Sequence, residues 1–66
     1  MTQSPNDRYI VNGLRLAAKL MTNAHMGLSS DDQTAQLPMF NLHRGAINDE
    51  IVKRDGTPYT AMEIAL

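Results

Sequence analysis

Apolar residues recur along the stretch from Asp7 to Leu28 on two helical stripes. Ile10, Leu14, Ala17, Met21, Ala24 and Leu28 follow a 4-3-4-3-4 spacing, and Tyr9, Gly13, Leu16 and Leu20 run beside them. With Val11 and Ala18 included, the apolar arc spans roughly 200°, well beyond the roughly 100° or more usual for a surface helix. The pattern predicts a long amphipathic helix with two partners, one the remainder of the chain and the other a second chain. The first stripe, Ile10 to Leu28, is the expected oligomer or partner interface.

Boundary signals divide the rest. Ser4-Pro5-Asn6-Asp7 supplies an N-cap, a proline suited to the first turn and an acid at the positive end of the helix dipole. Gly27 is placed to end the helix as a left-handed C′ residue, with Leu28 folding back as its apolar contact. Ser30 and Gln33 have capping-box spacing for a short second helix that should stop near Leu37, because Pro38 disfavours helical geometry before it. Asn41 to Arg54 reads as a third helix, in which Gly45 costs about 1 kcal/mol relative to alanine unless close packing requires it. After Asp55-Gly56 two arrangements compete. One is a last helix, Pro58 to Leu66, burying Tyr59, Met62 and Leu66 against Tyr9, Leu16 and Leu20. The other is a hairpin joining Ile51-Arg54 to Thr57-Thr60. The helix is favoured, since Pro58 is a poor strand residue and the segment from Ala61 to Leu66 has good helix propensity.

The expectation is a single all-α domain over residues 1–66, with residues 1–6 a flexible lead. It is a small bundle of three to four helices with a long amphipathic N-terminal helix, helix-turn-helix-like in plan and dimeric. A chain of 66 residues buries only about 60% of the surface its unfolded form exposes, so its core is marginal. Disulfide, metal or oligomerisation usually makes up the difference. Cysteine is absent and the two histidines do not complete a zinc site, which leaves oligomerisation.

Charge refines the picture. The net formal charge is −1, but residues 1–27 carry Arg8, Arg15 and Lys19 against Asp7, a balance of +2, while residues 28–66 have three cations against six acids, or −3. The three cations of the first helix are expected on the face opposite its apolar arc, as a solvated back or a surface for an acidic partner. No apolar run approaches the ~20 residues of a membrane span, and the N-terminus lacks the basic and apolar regions of a signal peptide. A cytoplasmic protein is the simplest reading.

Catalytic chemistry is hard to assemble from these residues. Asp31-Asp32 and Asp49-Glu50 are adjacent pairs, and helical neighbours diverge by about 100° instead of converging on one atom. His25 falls at the edge of the apolar arc, and His43 beside Arg44 has no evident third ligand. Ser29-Ser30 forms no nucleophile elbow and the glycines form no phosphate loop. No catalytic residue, cofactor or metal is assigned, and the protein is expected not to be an enzyme. Met21, Met26, Met39 and Met62 serve as core filler or as an adaptable protein-binding surface, and Met26 should be exposed.

The order Gly27-Leu28-Ser29, Leu37-Pro38, His43-Arg44, Ile51-Val52, Asp55-Gly56 and Tyr59 resembles the N-terminal winged helix-turn-helix module of IclR-type regulators over residues 9–66. Pro58-Tyr59-Thr60 followed by Ala65-Leu66 is similar to the ending of some small phage-encoded helix-turn-helix regulators. The resemblance implies that Asn41, His43, Arg44 and Asn48 face a DNA major groove and that Lys53 and Arg54 contact phosphate. The charge balance points elsewhere, because a DNA-reading surface gains much of its affinity by neutralising phosphate and this half of the chain is acidic. The first expectation is therefore a homodimeric interaction protein, of bacterial or phage type, that regulates a macromolecular partner as inhibitor, adaptor or antirepressor. A sequence-specific DNA-binding regulator is the alternative.

Overall fold

A computed structural model describes residues 3–60 as two antiparallel helices, α1 (Pro5–Met26) and α2 (Ser30–Lys53), followed by an irregular segment that returns along them. The molecule is 42 Å long and 15 by 14 Å across. It is all-α, as expected, but the described residues contain two helices and not a bundle of three or four.

The start of α1 follows from its local chemistry. The Ser4 hydroxyl accepts from the Asp7 amide at 3.0 Å, and Pro5 occupies the first turn where its missing N–H would in any case lack a partner. Pro5 and Asn6 thus form the first turn of the helix. Gln3 adds a tie across the fold, its side-chain amide donating to the Arg54 carbonyl at 2.8 Å.

Gly27 does not take the left-handed conformation expected of it. Its φ of −79° and ψ of −8° continue the right-handed turn, and the chain is extended at Ser29, where φ is −63° and ψ 160°. Ser29, one residue earlier than expected, is the cap of α2 and accepts from the Asp32 amide at 3.2 Å. Gln33 reaches back across the turn, donating to the carbonyls of Met26 at 3.2 Å and Leu28 at 3.0 Å. These bonds satisfy acceptors that the end of α1 would leave open.

The largest departure from expectation is that α2 runs unbroken through Pro38. An interior proline costs about 3 kcal/mol through its lost hydrogen bond and ring clash. Here Pro38 and Thr34, whose carbonyl loses its amide donor, both lie on the exposed side, where water can reach them. On the inner side Gln33, Leu37, Phe40, Arg44, Ile47 and Ile51 keep a 4-3-4-3-4 spacing straight across the proline, all at least half-buried. Ending the helix at Leu37 would swing Phe40 and Ile51, both buried, off that line. Burial of such side chains is worth about 1.5–3 kcal/mol each, which outweighs the proline.

The matching line on α1 is Val11, Ala18 and His25, seven residues apart and all buried, with Leu14, Arg15, Met21 and Thr22 around it. Ala18 is small and packs directly on Phe40, while Met21, Leu37, Ile47 and Tyr59 close over the pair. Thr22 satisfies its hydroxyl within the helix by donating to the Ala18 carbonyl at 2.8 Å.

The end of α2 is a Schellman turn, not a hairpin. Asp55 has φ 57°, the Gly56 amide donates to the Ile51 carbonyl at 2.9 Å, and the Asp55 amide donates to Val52 at 3.0 Å. No strand occurs among the described residues. Residues 57–59 are not helical, so a last helix does not begin at Pro58, and Met62 and Leu66 lie outside the described residues. Tyr59 packs on the Ala18–Phe40 cluster and not on Tyr9, Leu16 and Leu20.

Candidate functional site

Among the described residues, two surfaces remain open once the hairpin has closed. The first is the outer side of α1. At about 100° per residue, Tyr9, Leu16 and Leu20 project about 180° away from the buried line Val11-Ala18-His25. They are 79%, 57% and 60% exposed. Gly13 lies on the same stripe, with open space around it. Arg8 and Lys19 are exposed along one edge.

The expected interface stripe forms the flank between this outer side and the seam. Ile10, Leu14 and Met21 are half-buried there, whereas Ala17, Ala24 and Leu28 are exposed. The apolar surface therefore continues around α1 from Leu16 to Met21. Met26 is exposed, as expected.

The cationic back is divided. Arg8 and Lys19 face solvent, but Arg15 is half-buried. Its guanidinium donates to the carbonyls of Thr57 and, at 3.2 Å, Pro58, and sits 5.7 Å from the centre of the Tyr59 ring. The Tyr59 amide donates to the Asn48 side-chain oxygen at 3.0 Å. This set of contacts holds residues 57–59 along one side of the hairpin.

The opposite side, toward the turn, carries the second open surface. It is a groove of about 330 Å³ whose walls include Met21 and His25 from α1, Leu28 from the turn, and Met39, Phe40 and His43 from α2. His25 stands deeper than its place at the edge of the apolar arc suggested. It is buried and stacked on Phe40, with ring centres 4.5 Å apart and planes inclined by 29°. Its Nε2 is buried without a hydrogen-bond partner.

The residues of the DNA-binding alternative are dispersed. Asn41 and Lys53 are exposed, and His43 opens onto the groove, while Arg44 is half-buried in the seam. Asn48 is committed to Tyr59, and Arg54 to the carboxylates of Glu50 and, at 3.9 Å, Asp7. The hydrogen bond from Arg54, followed by the charges of Lys53 and Arg54, lowers the Glu50 carboxyl below its ordinary range.

Among the described residues no three His, Cys, Asp or Glu side chains cluster as a metal site, and no helix is long and apolar enough to cross a membrane. Comparison with protein-family models, with curated proteins and with solved structures finds no match. The groove joins Met21 and His25 to Met39 and His43, residues far apart in the chain whose periodicity does not by itself bring them together. Their shared spacing, a methionine four residues before a histidine in each helix, was a signal available in the chain.

Proposed function

We propose that this helical hairpin is a non-enzymatic interaction protein that regulates a macromolecular partner by occupying its surface, using the outer face of α1. The observation that carries this reading is the exposure of Tyr9, Leu16 and Leu20 on the side of α1 turned away from α2. Single exposed apolar residues are ordinary, but three aligned over three turns form a stripe of the kind that packs on another helix. Arg8 and Lys19 along its edge favour a partner with an acidic rim.

The same face suits a homodimer. The fully packed apolar core among the described residues is Val11, Ala18, Phe40 and Ile51, small for a domain of this length, and a second hairpin seated on α1 would enlarge it toward a four-helix arrangement. Sedimentation velocity on the wild type and on a Leu16→Asp, Leu20→Asp variant tests the reading, together with affinity capture of the partner from the native host. Both leucines are exposed, so the variant should stay helical while losing self-association and partner capture. A wild type that is monomeric at high micromolar concentration removes the dimer. Capture of the same protein by wild type and variant alike removes the interface, and a sequence-selective DNA complex abolished by Lys53→Ala would favour the DNA-binding alternative.

A further inference from the structure

We propose that the side groove binds copper(I) through the thioether sulfurs of Met21 and Met39 and the imidazoles of His25 and His43. All four side chains line the one groove. Met21 and His25 are one helical turn apart on α1, as are Met39 and His43 on α2, so each helix presents its pair on a common side. In the antiparallel register that stacks His25 on Phe40, Met39 lies level with the His25 end of the groove and His43 level with the Met21 end. Two thioethers and two imidazoles thus line the same groove, one of each from either helix.

The donor set selects the ion. Thioethers are soft ligands that favour copper(I), imidazole serves copper well, and among the described residues the groove walls hold no carboxylate or thiolate for calcium, magnesium or a structural zinc. His25 supplies an independent sign of a ligand, since its side chain is more than nine-tenths buried and its Nε2 has no hydrogen-bond partner. A buried polar atom of this kind ordinarily has one, and coordination would provide it. Met39 and His43 are exposed at the rim, which gives the ion a route in, and Phe40 and Leu28 surround it with apolar wall. A bound ion would clamp α1 to α2 at the turn end of the hairpin, on a surface separate from the outer stripe of α1.

The test is an anaerobic titration of the full chain with copper(I) in competition with bicinchoninate, alongside thermal melts followed by circular dichroism. The protein should withdraw one equivalent of copper(I) from the indicator, and its thermal midpoint should rise with the metal. Zinc(II) at the same concentration should produce neither effect. A Met21→Leu, Met39→Leu variant, close in volume to the wild type, should keep its helicity while binding copper(I) at least about tenfold more weakly. His43→Gln, at an exposed position, should weaken binding as well. The proposal is overturned if the wild type leaves the indicator loaded, if the double methionine variant binds as tightly as wild type, or if zinc(II) binds equally well.

Discussion

Gly56 rests directly on Val11. A Cβ built on Gly56 would lie 2.8 Å from Val11 Cγ1 and 2.7 Å from Ile51 Cγ2, both closer than carbon atoms tolerate. The turn after α2 thus closes the open end of the hairpin by pressing backbone onto two buried side chains. The requirement for glycine here is steric, since its φ is not positive. Gly56→Ala should destabilise the protein by about 1–3 kcal/mol, the usual range for an overpacked core, as a lowered midpoint in urea unfolding. An unchanged midpoint would mean that the turn can lift away without cost.

Asp55 is the residue that bears the left-handed conformation, with φ 57°. Glycine enters that region without the steric cost that a Cβ carries, and a β-branched residue is worst placed there. Asp55→Gly is therefore expected to raise the thermal midpoint, and Asp55→Val to lower it by an amount equivalent to about 1–2 kcal/mol. The two variants should move in opposite directions in the same calorimetric experiment.

Two interior positions of α2 hold helix-weakening residues without a packing need for them. Pro38 is exposed, and a Cβ on Gly45 would meet nothing within 4 Å. Pro38→Ala restores an amide donor toward Thr34 and should stabilise the fold by up to about 3 kcal/mol. Gly45→Ala should add about 0.5–1 kcal/mol. Chemical denaturation should show both gains, and hydrogen exchange should show new protection at residue 38 in the first variant.

Glu50 links stability to pH. Because Arg54 lowers its carboxyl pKa in the folded state, the native form binds the proton less readily than the unfolded chain does. The resulting stabilisation is present above the unfolded carboxyl value and is lost as pH falls through the lower, folded value. Glu50→Gln should therefore lower the thermal midpoint slightly near neutral pH, and the gap from wild type should close below about pH 4. The effect is small because the pair is solvent-exposed and screened, and it should shrink further in high salt.

Much of α1 was legible from its residues. Ser4 and Pro5 mark its start, and its apolar spacing shows that it is helical with surface to bury on more than one side, because caps and periodicity are properties of a few neighbouring residues. The direction of packing was not legible in the same way. A wide apolar arc contains several possible seams, and the choice of Val11-Ala18-His25 required knowing that Phe40 would approach small Ala18. That choice placed the expected stripe from Ile10 to Leu28 on the flank and turned Tyr9, Leu16 and Leu20 outward. The fate of Pro38 was likewise settled by packing, since a local helix-breaking signal of about 3 kcal/mol yields when several buried side chains on both sides of it face one partner. Sequence by itself determined an all-helical chain, the capped start of its first helix and the donors available to it. Tertiary structure decided how many helices there are, which faces meet and which donors share a groove, because those depend on contacts between residues far apart in the chain.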